Sequence, residues 1–265
     1  MLDLLREYLI AGDVNTPRES NLGNARRFAE GDPAYQFGLW PLRPWTYEEV
    51  AALMAERVGI DPDLSRTTGP DTIDPELTVK ALERMRDRLA HAAAGRERVL
   101  VATGHPAGVL EIHLAIAAAL RAAGCTLLMP APGVRFTLLD GYRDERPSLQ
   151  IRYLGGVATC SDGGGLRHSH TAGGIQTMLT ALATAGQAPP DLVVADHGFA
   201  GGAAAAGLDV VGFADSNDPA LFVGEAEGRV AVTVPLDDNV QPHLYAPVVD
   251  CLLAGWAASP HLQRS

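Results

Sequence analysis

A chain of 265 residues, 47% hydrophobic and 20% charged, has globular composition and enough length for one large α/β domain. Its formal net charge of -11 argues against the counterion-release binding of nucleic acid and against an anionic membrane surface. It does not exclude a phosphorylated substrate, because a pocket can be positive inside an acidic surface.

Lys80 is the only lysine, so a cationic grip on an anion must come from arginine, histidine, backbone N–H groups or a metal. Cys125, Cys160 and Cys251 are far apart and form no CxxC pair, which suits a reducing cytoplasm. The first residues carry acids early and lack a signal-peptide core, and no segment nears the roughly 18 apolar residues of a membrane span. A soluble, cytoplasmic protein is expected.

The first 96 residues read as helical. Leu2, Leu4, Leu5, Leu9 and Ile10 make a short amphipathic start that stops at Gly12. A turn at Asn15, Thr16 and Pro17 leads to a second helical stretch around residues 24–30, and the aromatic segment 35–45 reads as an irregular buried loop. Thr46 followed by Glu49 is a capping box that predicts a helix to about residue 57. Asp74 before Pro75 is an N-cap for another helix, buried along Leu77, Leu82, Met85 and Leu89 and ending near Gly95.

At Val99 the rhythm changes. A β-branched run at 99–102, a Gly-His-Pro turn, a helix over 107–123 and a strand at 126–129 make one strand–helix–strand unit, which implies a right-handed crossover in a parallel sheet. Residues 132–165 are less regular, but 151–154 and 157–160 read as two strands around Gly155-Gly156, a hairpin pattern. A helix at 174–185, strands at 192–195, 210–214 and 230–234, a small-residue helix at 198–207 and a closing helix at 242–257 complete the pattern. The expected fold class is α/β: a three-layer, mostly parallel, Rossmann-like sheet over residues 97–265. The helical N-terminal region, residues 1–96, is expected to pack on it as one unit.

Five of the eight histidines lie in Gly-, Asp- and Asn-rich segments that follow apolar runs. In an α/β sheet such loops gather beyond the carboxyl ends of the strands, where ligands bind. Thr103, Gly104, His105 and Gly108 form a turn before a helix, where free N–H groups and the helix dipole favour an anion. The plainer reading is a tight βα turn. It is not a P-loop, because the GK[ST] ending is missing.

Residues 162–171 are the most loaded stretch. Asp162 opens a run of three glycines, and Arg167, His168 and His170 follow as donors. In extended backbone His168 and His170 share a side, which suits metal ligation or phosphate contact. The alternative is a solvated turn. Asp196-His197-Gly198 follows a fully apolar strand, and Asp215-Ser216-Asn217-Asp218-Pro219 follows the next. Carboxylates and an amide oxygen in adjacent loops are the hard ligands that Mg²⁺ or Mn²⁺ prefers, although Asp and Asn also serve as turn formers and helix caps. Asn217 or Asp218 before Pro219 reads equally as a cap. Asp237-Asp238-Asn239, with His243, reads rather as a final cap than as part of the rim. The polar segment 13–21 can act as a lid with Arg18 as a mobile cation. No G-x-S-x-G elbow and no dinucleotide-binding G-x-G-x-x-G is present in a suitable context.

Taken together, Thr103-Gly104-His105-Pro106-Ala107-Gly108, Cys160-Ser161-Asp162-Gly163 with His168 and His170, Ala195-Asp196-His197-Gly198, Asp215-Ser216-Asn217-Asp218-Pro219 and Leu236-Asp237-Asp238-Asn239 resemble a group of actinobacterial proteins described as phosphatases. The resemblance covers most of the chain and implies hydrolysis of a phosphate ester. The residues themselves suggest how. The Thr103–Gly108 turn with Arg167 would hold phosphate. Asp162, Asp196, Asp215 and Asn217 would hold one divalent metal. Asp162, His168, His170, Asp196 and His197 would form the catalytic set, the histidines moving protons near neutral pH. A small phosphorylated substrate is the expected partner, with a homo-oligomer left open. Two other readings remain: an isomerase or lyase acting on a sugar phosphate, and a non-catalytic sensor of a nucleotide or sugar phosphate. Metal-dependent turnover separates the phosphatase from the sensor.

Overall fold

The computed structural model describes residues 1–137 and 148–255. The chain begins with α1 (Leu2–Glu7), β1 (Gly12–Pro17), α2 (Arg18–Ala29), α3 (Pro33–Gln36), α4 (Tyr47–Arg57), β2 (Pro70–Ile73) and α5 (Pro75–Gly95). Both predicted caps are formed. Thr46 Oγ1 accepts from the Glu49 N–H while Glu49 accepts from the Thr46 N–H at 2.8 Å, and Asp74 Oδ1 accepts from the Glu76 N–H at 2.8 Å. The wholly helical expectation for this region needs correction. β1 and β2 pair antiparallel, Gly12 opposite Ile73, across more than fifty residues of chain. Neither strand is long or alternating enough to announce itself; the pairing exists because distant segments meet.

From Arg98 the elements are β3 (Arg98–Thr103), α6 (Leu110–Ala122), β4 (Thr126–Leu127), β5 (Arg135–Thr137), β6 (Ser148–Leu154), β7 (Val157–Ser161), β8 (Leu166–Arg167), α7 (Gly173–Thr184), β9 (Leu192–Asp196), α8 (His197–Ala205), β10 (Val210–Ala214), α9 (Pro219–Ala226), β11 (Val232–Pro235) and α10 (Ala246–Leu252). The nine strands from β3 onward make one mixed sheet in the order β11-β10-β9-β3-β7-β6-β5, with β4 on β3 and β8 on β7. The run from β11 to β7 is parallel, and β6, β5 and β8 pair antiparallel with their neighbours. Every residue of β9 and β10 is buried, which is why those strands read as unbroken apolar runs. The Gly155-Gly156 hairpin forms as expected. Both glycines have positive φ, +55° and +99°, the conformation a two-residue turn of this kind requires.

Several boundaries differ from the pattern. The helix expected from 107 starts at Leu110, because residues 104–109 are used by the turn, and the strand expected at 126–129 shrinks to two residues. The closing helix opens as a 3₁₀ turn, Pro242–Tyr245. It ends at Leu252, short of the expected 257, while residues 138–147 of the irregular stretch lie outside the described residues.

The connections locate a crevice. β3 leads through α6 toward β4 and β7 on one side, and its neighbour β9 leads through α8 to β10 on the other. Adjacent strands whose connections diverge leave an opening beyond their carboxyl ends, the usual ligand site of an open α/β sheet.

Candidate active site

Two glycines let the loops close on that crevice. A Cβ on Gly104 would lie 2.5 Å from the Ser169 carbonyl oxygen, and one on Gly108 only 1.8 Å from that of Asp238. Loops after β3, β8 and β11 therefore touch backbone to backbone, bringing residues 105, 168–170 and 238 around His197. His197 itself begins α8 with a φ of +45°, a left-handed conformation that costs a non-glycine residue on the order of 1–3 kcal/mol.

Three imidazoles converge. His168 Nε2 lies 3.3 Å from His197 Nε2 and 3.0 Å from His170 Nε2. The second nitrogen of each flanking ring is fixed: His170 Nδ1 lies 3.0 Å from the Ala34 carbonyl oxygen and His197 Nδ1 2.8 Å from Asp196 Oδ1. Those oxygens only accept, so both Nδ1 atoms carry hydrogen, and in the neutral rings both Nε2 atoms direct lone pairs at His168. Adjacent donors on one ion at about 2.0–2.1 Å stand roughly 3.0–3.4 Å apart, which is this spacing. On the other side of His197 Nε2 lie Asp218 Oδ2 at 3.4 Å and Asp238 Oδ2 at 3.6 Å, and His105 Nδ1 is 3.1 Å from Asp238 Oδ2. The His105 ring stacks on that of His168, which is exposed at the mouth. Two groups, His105 with His168 and His197, and His197 with Asp218 and Asp238, have donor atoms within 4.8 Å of one another and can hold a metal ion.

The electrostatics are acidic. Asp196, Asp215, Asp218, Asp237 and Asp238 are all buried, and among the described residues no arginine or lysine pairs with any of them. Burial disfavours a charged His197, yet the Asp196 hydrogen bond and the Asp218 charge outweigh it and push its pKa up to about 10. The point at Nε2 thus attracts positive charge. Burial, opposed by His197 and reinforced by Asp238, raises the Asp218 carboxyl to about 7. Burial and the charges of Asp238 and Asp237 raise Asp215 well above the usual range. Burial and the neighbouring His197 and His168 hold His170 well below the ordinary imidazole value.

The predicted residues divide. His168, His170, Asp196 and His197 come together, but Asp196 stands behind His197, accepting from its Nδ1–H and from the Gly104 N–H at 2.6 Å. Most N–H groups of the Thr103–Gly108 turn are already engaged. The Gly104 N–H is committed to Asp196, the His105 N–H to Thr103 Oγ1, and the N–H groups of Gly108 and Val109 to the His105 carbonyl. Of that turn, the His105 side chain faces the cluster. Arg167 and Asp162 pair with each other on the β7–β8 hairpin, and Asp162 also accepts from the Gly164 and Gly165 N–H groups.

Asn217 turns toward α2, donating to Ser20 Oγ, while Asp215 accepts from Thr16 at 2.6 Å and from the Ser216 N–H. The expected lid is instead β1 and the start of α2. Arg18 is not mobile: it is fully buried against Asp71 and donates to the Arg66 and Asp63 carbonyls. His243 is exposed. The cluster also takes in residues outside the predicted set: Asp218 and Asp238, read as caps, and His113, which is wholly buried in α6 with Nε2 3.6 Å from Asp196 Oδ2. The acidic runs 215–218 and 237–238 carried the signal, but not which carboxylate faces inward.

Fold and site define an α/β protein with a His–Asp centre at the switch point of its sheet. A family model described as Phosphatase matches residues 1–259, and the chain belongs to that family. A Streptomyces coelicolor protein named Phosphatase SCO2771 is 49% identical over 246 residues, 92% of this chain and 90% of the relative, which bears out the resemblance to actinobacterial phosphatases. No solved structure matches the chain.

Proposed function

We propose that this protein is a phosphatase that hydrolyses a small phosphomonoester at the His–Asp cluster, with a divalent metal held among those residues. The observation that carries the reading is the convergence of His168, His170 and His197 Nε2 atoms beside the buried carboxylates of Asp218 and Asp238. An anionic substrate has no reason to approach five buried aspartates unless a cation stands between them. When bound, such an ion supplies charge stabilisation on the phosphoryl oxygens and eases deprotonation of water.

The chain's own residues do the rest. Asp196 holds the His197 ring in the tautomer that presents Nε2, as a carboxylate behind a ligating imidazole does. His105, beside Asp238 and stacked under the exposed His168, would offer a further imidazole donor to that ion. An all-oxygen set of Asp162, Asp196, Asp215 and Asn217 would have favoured Mg²⁺ or Mn²⁺; the mixed imidazole and carboxylate set suits Mn²⁺, Fe²⁺ or Zn²⁺ better than Mg²⁺. The same reading takes residues 97–255 as a three-layer Rossmann-like core with residues 1–96 packed on it in one cytoplasmic unit, supported by an apolar cluster that runs from Leu5 to Leu252. Among the described residues no helix is long and apolar enough to cross a membrane.

The test is phosphate release from a panel of phosphomonoesters by chelator-treated protein, alone and with Mg²⁺, Mn²⁺ or Zn²⁺. Release that returns only with metal is expected. Release indifferent to chelation would remove the metal from the proposal, and silence across the panel and all metals would favour the sugar-phosphate isomerase or sensor.

A further inference from the structure

His197 Nε2 has one lone pair and can serve one cation, yet it is the member common to both donor groups. If His197 joins His105 and His168, the Asp218 carboxylate on its far side is left without that imidazole, and Asp238 keeps only His105 Nδ1 at 3.1 Å among the cluster's rings. Asp218 is only 5% exposed. It caps α9 by position, but its side chain makes no capping hydrogen bond, and it faces His197 Nε2 at 3.4 Å. His105 Nδ1 is likewise buried without a hydrogen-bond partner, although Asp238 Oδ2 lies 3.1 Å away. Asp215 and Asp237 stand behind them already satisfied, the first by Thr16 and Ser216, the second by the Asn15 and Asn239 N–H groups. A buried carboxylate that ordinary donors leave alone, aimed at a point its neighbours also face, marks a place for a cation.

We propose that the cluster binds two divalent cations, one at the imidazoles of His105, His168 and His197 and a second at the carboxylates of Asp218 and Asp238. The proposal rests on the metal-assisted phosphatase reading and deepens it. Burial supports it: five aspartates are buried around the cluster and, among the described residues, none pairs with a lysine or arginine, so cations are the partners left to them. Phosphoryl transfer supports it too, because paired cations roughly 3.5–4 Å apart can stabilise both the attacking and the leaving oxygen. The carboxylate position offers only hard oxygen donors, so it would take Mn²⁺ or Mg²⁺.

Equilibrium dialysis of chelator-stripped, full-length protein against Mn²⁺, read by elemental analysis and electron paramagnetic resonance, tests the idea without relying on activity. Two Mn²⁺ per chain with an exchange-coupled spectrum are expected, falling to one uncoupled ion in Asp218→Asn. The exposed His168 offers a second variant, His168→Ala, which should also retain one ion, with circular dichroism verifying the fold of both. One ion per chain in the unaltered protein overturns the second site while leaving the phosphatase reading intact if release depends on that ion. No bound Mn²⁺ at all overturns this proposal, while phosphate release restored by Zn²⁺ would still leave the phosphatase reading standing.

Discussion

Arg18 with Asp71 in the N-terminal region, and His197 with Asp218 and Asp238 at the carboxyl edge of the sheet, are both charged constellations almost wholly removed from water. They are built in opposite ways. Arg18 donates to Asp71, to the Arg66 carbonyl and to the Asp63 carbonyl, while Asp71 also accepts from Asn21 and from the Asp61 and Thr72 N–H groups. Every charge there is answered. At the sheet edge Asp218 takes no hydrogen bond, and Asp196 Oδ2 and His113 Nε2 face each other unpartnered. A satisfied buried network holds a fold rigid, whereas an unsatisfied one is tolerated where something else is meant to bind. The two regions touch: β1 and α2 clamp the loop after β10 through Thr16, Ser20 and Asn21, so the closed network positions the open one.

The contrast can be broken from either side. Arg18→Met strands the Asp71 carboxylate and should lower the unfolding free energy by about 3–5 kcal/mol in urea titrations. A loss below about 1 kcal/mol would mean the closed network is not structural. His197→Ala should reduce phosphate release by at least about 100-fold, more than loss of a group that acts only through another residue. Near-normal turnover in that variant would dismantle the site. Asp196→Asn should weaken metal binding by roughly 10–100-fold, with part of the activity restored by excess metal, because it orients His197 rather than binding the ion. Failure of excess metal to restore any activity would argue for a direct role.

Acid sharpens the comparison more gently. Burial opposes ionisation of Asp71, but Arg18, the Asp61 N–H and Asn21 outweigh it and hold its carboxyl below the usual range. Its contribution to stability is therefore complete above the unfolded value of about 4 and is lost as pH falls through the depressed folded value. The urea midpoint of the unaltered protein should drop more steeply below about pH 4 than that of Asp71→Asn; parallel curves would contradict the assignment. The smallest effect is expected for Asp162→Asn, whose partner is Arg167 on the β7–β8 hairpin: metal content and turnover should change by less than about twofold.

Much of the sheet was legible because parallel strands buried on both faces must be apolar throughout, as 192–195 and 210–214 are, and because polar glycine loops follow them at the ligand-binding edge. The ribbon of β1 and β2 was not, since its pairing joins residues 12–17 to 70–73 and leaves no local periodicity. The site was half legible. His168, His170 and His197 announced themselves by their loops, while His113 looked like one more residue of a helix. Asn217 and Asp218 differ by one position and face opposite ways, Asn217 toward Ser20 and Asp218 toward His197.

Sequence alone determined the α/β class, the helix caps at Thr46 and Asp74, the Gly155-Gly156 hairpin and the strand-end loops that hold His168, His170 and His197. These depend on local hydrogen bonding, φ preferences and burial of whole strands, all of which are written in neighbouring residues. Only the tertiary structure decided that Asp218 and Asp238 replace Asp162 and Asn217 beside the histidines, and that Arg18 closes a core rather than a lid. A side chain's direction at a strand end follows from the path of its loop, and that path is set by backbone contacts such as Gly108 against Asp238, between residues far apart in the chain.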